Sequence, residues 1–202
     1  MPGATHRNQT LKLARRARGV TPADLADAGI HRQMLTRLVA EGQLERVARG
    51  MYRLAERPIT EHHGLAVAAA AVPHGVVCLL SALQVHGIGS QLPSEVWMAI
   101  DRRAWRPTLA HPPLRIVRFT GPALTQGIGS HTIEGRQVKV YGVAKTLADC
   151  FKYRNKIGLD VALEALREAW RGRRFTMDEL DRYAAICRVQ RVMQPYLEAL
   201  TA

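Results

Sequence analysis

Residues 30–54, IHRQMLTRLVAEGQLERVARGMYRL, decide the reading of the fold, because a short amphipathic helix is followed at once by a tight basic hairpin. Ile30, Met34 and Leu38, with Leu35 and Val39 beside them, recur at helical spacing and make one apolar face. His31, Arg32, Gln33, Thr36 and Arg37 are left on the opposite face, carrying groups that can hydrogen-bond base edges and phosphates. Gly42 stops the helix. Leu44, Val47, Tyr52 and Leu54 then mark two short strands folded around Arg49-Gly50, where glycine supplies the backbone freedom a tight turn needs. The turn is expected to place Arg46, Arg49 and Arg53 on a projecting wing.

The preceding residues fit the same module. Asn8 to Arg18 reads as a basic amphipathic helix on Leu11, Leu13 and Ala14. Thr21-Pro22 starts a short second helix, with Thr as N-cap and Pro in the first turn; it buries Leu25 and Ala26 and ends at Ala28-Gly29. Helix, short helix, glycine-containing turn, helix with outward polar groups, then hairpin is the order of a winged helix-turn-helix, which presents its last helix to the DNA major groove. The competing interpretation is a solvated basic surface or a protein-contact module.

Charge favours an anionic partner. The 202 residues carry a formal net charge of +12. Through Arg57 there are 11 Lys and Arg against 5 Asp and Glu, and the remaining 145 residues hold 18 against 12, so the charge density is highest where the reading face is expected. All but one of the basic residues in that first module are Arg, which suits bidentate contacts to guanine and phosphate.

A hydrophobic content of 47% is enough for a real core. No apolar run approaches the roughly 20 residues of a membrane span, and no secretion signal is evident, so a cytoplasmic protein without membrane attachment is expected. Cys78, Cys150 and Cys187 are odd in number and far apart, which reads as packed, reduced thiols.

A domain boundary is expected near Arg57-Pro58, dividing a DNA-binding domain (1–57) from a larger α+β domain (58–202). Beyond the connector Pro58-Ile59-Thr60, helices are expected over 61–72 and 76–86, closed by Gly87. Strands follow over 95–101 and 114–120, with a hairpin pairing 130–134 and 137–141 across Gly135-Arg136. Helices then occupy 143–153, 159–171, 176–186 and 190–200. Helices, strands, then helices imply an α+β domain with a small mixed or antiparallel sheet and a helical carboxy terminus.

Taken together, EGQLERVARGMYRL, SALQVHGI, EVWMAI and VYGVAKTLADCFKYRNKIGLDVALEAL, in this order, resemble the antitoxins of type IV toxin–antitoxin systems, the abortive-infection AbiEi family. The resemblance spans nearly the whole chain and rests on order and spacing rather than on any one motif. It implies an amino-terminal domain that binds the protein's own operator on double-stranded DNA and represses the operon. It also implies a carboxy-terminal domain needed for antitoxin activity, and a neighbouring gene for a nucleotidyltransferase-like toxin as functional partner, with direct binding of the toxin left open. Positions 31–41 and 46–54 inherit the DNA-contact role by that resemblance. The oligomeric state stays open, a monomer binding cooperatively to operator repeats being one arrangement.

Other chemistries fit less well. Gly142 to Thr146 looks like the tail of a phosphate-binding loop, but Lys139 and Ala144 stand where the pattern needs glycine; Asp149 is then expected on a solvent or domain-contact face. The histidines lack metal-site spacing, and no cofactor or metal is expected. The enzymatic alternative is a metal-dependent nuclease built on Asp101 with Glu134, which lacks the lysine such a site wants. A stand-alone transcriptional regulator is a further alternative, as is a partner-binding surface around Arg171 to Arg174. Trp97, Trp105 and Trp170 could stack on bases but read as core.

Overall fold

In the computed structural model, which describes the backbone of residues 2–16, 19–55 and 61–201, the chain is α+β. Helix α1 (Pro2–Arg16) starts six residues ahead of the position expected at Asn8, and proline suits a first helical position because its missing N–H would have no partner there. The expected end at Arg18 lies outside the described residues. Ala14 and Thr10 are fully buried, and the Thr10 hydroxyl donates to the His6 carbonyl at 2.8 Å, which satisfies it inside the helix.

Helix α2 (Pro22–Asp27) is held by a reciprocal cap: Asp24 N donates to Thr21 Oγ1 at 3.2 Å, and Thr21 N donates to Asp24 Oδ2 at 2.6 Å. Gly29, at φ +69°, turns the chain into α3 (Gln33–Ala40). Ile30, Leu35 and Leu38 are buried with Ala14, Val20, Leu25 and Leu44 in a shared core. Strands β1 (Leu44–Ala48) and β2 (Met51–Leu54) pair antiparallel, with Leu44 opposite Leu54, Glu45 opposite Arg53 and Arg46 opposite Tyr52. Gly50, at φ +75°, makes the turn between them. Val20 adds a third segment to this hairpin as a single antiparallel bridge, exchanging both backbone hydrogen bonds with Tyr52 at 2.6 and 2.9 Å. A single bridging residue carries no periodicity, which is why sequence pattern does not reveal it.

The expected connector at Pro58 lies outside the described residues. Helix α4 (His63–Ala71) follows, then β3 (Val76–Val77) and α5 (Leu79–His86). The helix expected over 76–86 is thus corrected at its start: Val76 and Val77 form a buried strand. Val77 pairs antiparallel with Met98 on β4 (Val96–Asp101) and parallel with Val140 on β7 (Arg136–Tyr141), so the two valines sit inside the sheet. Glycine suits position 75 at this entry, because a Cβ there would lie 3.2 Å from the Val72 carbonyl oxygen and 3.0 Å from Val72 Cγ1 as well as against the movable end of Met98. Strand β5 (Leu114–Phe119) runs parallel to β4; α6 (Pro122–Thr125) and β6 (Ile128–Ile133) precede β7. The five-stranded sheet has the order β5-β4-β3-β7-β6 and is mixed. Glu134 and Gly135, both at positive φ (51° and 79°), form the hairpin turn one residue earlier than expected.

Helices α7 (Val143–Lys152), α8 (Arg154–Ile157), α9 (Leu159–Arg171), α10 (Met177–Cys187) and α11 (Gln190–Thr201) complete the chain. Leu147, Phe151, Leu166 and Leu180 from these helices meet Leu79, Leu83 and Val117 in the second core. The chain divides into two compact units, Met1–Ala71 with His131–Val138, and Val72–Ser130 with Lys139–Ala202. Among the described residues no helix is long and apolar enough to cross a membrane.

Candidate nucleic-acid interface

The face opposite the α3 core contacts is polar and open. His31, Arg32, Gln33, Thr36 and Arg37 are all exposed, while Leu35 and Leu38 are buried beneath them. Gln33, Thr36 and Arg37 lie on α3 opposite Leu35 and Leu38, while His31 and Arg32 precede the helix, Arg32 as its N-cap, so the helix itself starts at Gln33 rather than His31. His31 Nδ1 accepts the Gln33 backbone N–H at 3.3 Å, which turns the imidazole over the start of the helix and occupies one of its unpaired donors. A shallow depression of about 510 Å³ flanks this face, lined by His6, His31, Gln33, Thr36 and Arg37 together with the apolar Ile30, Met34 and Ala40.

Arg37 is not free to wander. Its Nε donates to Glu41 Oε1 at 3.0 Å one turn further on, and the same carboxylate draws Arg7 of α1 to 3.5 Å. Arg37 nevertheless keeps 71% of its side-chain surface exposed. Glu41 and Arg7 are the positioning residues that sequence reasoning missed. The i, i+4 spacing of Arg37 and Glu41 was the available signal for the first; nothing local pointed to the second.

On the hairpin the three arginines separate. Arg46 and Arg49 are exposed. Arg53 is corrected: it is only 7% exposed, and its guanidinium is ion-paired with Glu45 across the strands. Strand alternation sets which face it takes. Leu44, Tyr52 and Leu54 share the face of the hairpin toward the amino-terminal core, as their apolar spacing implies, and Glu45, Met51 and Arg53 lie on the other face, where Met51 and Arg53 are buried too.

The other candidate groups have local partners. Asp101 Oδ1 accepts the Arg103 N–H at 2.8 Å, and Glu134 lies 2.7 Å from His63 Nδ1. Among the described residues no group of three or more His, Cys, Asp or Glu side chains is arranged to hold a metal. Asp149, expected near solvent, is 1% exposed and paired with the fully buried Lys145. It faces the core because α7 buries every residue from Ala144 to Phe151. Cys78, Cys150 and Cys187 are buried free thiols, and burial pushes all three up, Cys187 to about 12, which leaves them protonated and poorly nucleophilic. Trp97 is buried and Trp170 packs on Phe175 with ring centroids 6.1 Å apart. Trp105 departs from the expected core placement, with 91% of its surface exposed.

Residues 8–55, which run from α1 through the hairpin, match the family model described as transcriptional regulator, AbiEi antitoxin. The matched family is one of regulators, not of enzymes. Among solved structures, the RV2827C protein from Mycobacterium tuberculosis is similar in fold, with a TM-score of 0.60 at 15% sequence identity over 90% of this chain and 71% of that one. No curated protein matches.

Proposed function

From the AbiEi antitoxin character of its amino-terminal region, we propose that this chain is the antitoxin of a type IV toxin–antitoxin system, acting in the cytoplasm as repressor of its own operon. The observation that carries the DNA-binding half is the exposed polar face of α3 and its entrance, with Gln33, Thr36 and Arg37 on the helix opposite the buried Leu35 and Leu38 and with His31 and Arg32 just before it. In this reading α3 enters the major groove of the operator. Arg32, Gln33, Thr36 and Arg37 contact base edges or phosphates, His31 lies at the helix entrance, and Arg46 and Arg49 hold the flanking backbone. Repression is by occlusion and needs no cofactor. Arg53 acts indirectly, by fixing the hairpin through Glu45.

The division of labour we propose puts operator binding in residues 1–57 and toxin neutralisation in 58–202, against a nucleotidyltransferase-like toxin encoded beside it. The family match supports the regulatory half. The toxin rests on the resemblance in sequence.

The test is a gel shift on the protein's own promoter with Arg32→Ala/Arg37→Ala, circular dichroism serving as fold control. Removing a bidentate pairing with a base should cost about 1–3 kcal/mol of operator binding. Unchanged operator affinity in the double variant overturns the assignment of α3. For the toxin half, an adjacent nucleotidyltransferase-like gene whose growth arrest this chain relieves is the expected finding.

A further inference from the structure

The loop leaving β4, Arg102-Arg103-Ala104-Trp105-Arg106, sets three arginines around a tryptophan that the fold does not cover. An indole with 91% of its surface in water forgoes the burial that normally accounts for a tryptophan, so packing does not explain it. The loop is nonetheless built. Arg118 Nη1 on the neighbouring strand β5 donates to the carbonyls of Asp101, Arg102 and Ala104 at 3.1, 2.9 and 2.5 Å, and Arg102 N donates to Phe119 O at 3.1 Å.

Beside this loop lies a cleft of about 610 Å³, lined by Trp97, Arg106, Arg115, Arg118, Tyr153 and Lys156 among others. Four of those six are cations. Two of them rest on the aromatic floor, Arg115 5.5 Å from the Trp97 ring centroid and Lys156 5.5 Å from that of Tyr153. Among the described residues the one carboxylate ion-paired to the cations of this loop and cleft is Glu95, 3.8 Å from Arg115. Strand β5 is the edge of the sheet. Charges on an edge strand also guard against aggregation, a task Arg115 and Arg118 meet without Trp105 or the loop arginines.

We propose that this loop and the cleft beside it form a second nucleic-acid site, distinct from α3, which takes a single strand: phosphates on Arg102, Arg103, Arg106 and Lys156, and an unpaired base stacked on Trp105. Single-stranded binders combine a cationic track with an aromatic platform in this way. A duplex would satisfy the arginines but not the tryptophan, because its base faces are already stacked on one another. The site belongs wholly to the second unit and does not depend on the operator-binding reading of α3.

The experiment is fluorescence anisotropy of the full chain with labelled, mixed-sequence single-stranded RNA, single-stranded DNA and a non-operator DNA duplex. Trp105→Leu should weaken binding to the single strand about tenfold, with Trp105→Phe retaining most of it. Arg102→Gln/Arg106→Gln should weaken it and flatten its salt dependence. Neither set should shift operator affinity, which Arg32→Ala/Arg37→Ala should remove without touching the single-strand arm. The RNA and DNA arms identify which strand is preferred, and saturable, Trp105-dependent binding of either one supports the site. Equal single-strand affinity in Trp105→Leu and wild type overturns it. So does tighter binding of the non-operator duplex through the same arginines.

Discussion

Lys145 and Asp149 lie one turn apart on α7 with Nζ 2.5 Å from Oδ2, their side chains 0% and 1% exposed. Two opposite charges in an apolar core are stable only when each is satisfied. Here Asp149 Oδ1 also accepts from Cys187 Sγ at 3.2 Å, and the ammonium lies 4.3 Å from the Tyr141 ring centroid and 4.8 Å from that of Phe119. Burial raises the Asp149 carboxyl above its ordinary value, with Lys145 pulling the other way.

Removing one partner leaves the other as a lone buried charge. Lys145→Met or Asp149→Ala should each destabilise the fold by about 3–5 kcal/mol, while Lys145→Met/Asp149→Leu together should recover most of that loss. Urea denaturation of the three variants measures it. Single variants that cost no more than an exposed helix pair, about 0.3–0.5 kcal/mol, would show the pair to be solvated. The pH sign follows from the raised carboxyl. The folded state holds this proton more tightly than the unfolded chain, so this group's contribution to stability falls as pH rises from near its ordinary value through its folded one. Asp149→Asn should remove that component of the slope.

The hairpin arginines divide by burial, and their variants should divide likewise. Arg53→Ala takes the partner from Glu45 and empties a buried position, and should destabilise the amino-terminal unit by about 1–3 kcal/mol, with weaker DNA binding only as a consequence of unfolding. Arg46→Gln/Arg49→Gln should leave the melting temperature alone. It should weaken operator and random DNA to the same extent and flatten the dependence of affinity on salt. Thermal melts paired with gel shifts at several salt concentrations separate the two. A loss confined to operator preference, at unchanged salt slope, would make the exposed pair base-reading residues instead.

What sequence pattern reveals and what it hides follow from the range of the interactions. The polar positions Gln33, Thr36 and Arg37 on α3 are legible because helical period is local and Leu35 and Leu38 mark the inward side without ambiguity. The burial of Arg53 is not, because it lies on the face of the hairpin away from the core that Leu44, Tyr52 and Leu54 meet, and its pairing with Glu45 is a cross-strand contact. Val76 and Val77 read as helix because a two-residue strand is shorter than any period; their pairing with β4 and β7 is a tertiary fact. Asp149 reads as an outward residue on the general reluctance to bury a carboxylate, and Lys145 at i, i+4 is the local clue that it need not be exposed. Trp105 errs the other way: an aromatic residue reads as core until the loop that carries it is seen.

The nuclease alternative meets its strongest obstacle in the strands beside Asp101. A metal-dependent site needs a second carboxylate and a lysine within reach of the same ion. Asp101 ends β4, its partner across the parallel ladder on β5 is Phe119, and the neighbours β5 (LRIVRF) and β3 (VV) contain no Asp, Glu or Lys. Its carboxylate is engaged instead by the Arg103 N–H, which makes it a loop-fixing group. Glu134 sits at a hairpin turn against His63. Asp101→Ala should therefore leave protection against a co-expressed cognate toxin intact, and Glu134→Gln should do the same with at most a modest loss of stability. Growth of toxin-bearing cells with each variant reads protection, and a magnesium-dependent cleavage assay on purified wild type reads catalysis directly. Cleavage that vanishes in Asp101→Ala would replace the antitoxin reading of this domain with a catalytic one.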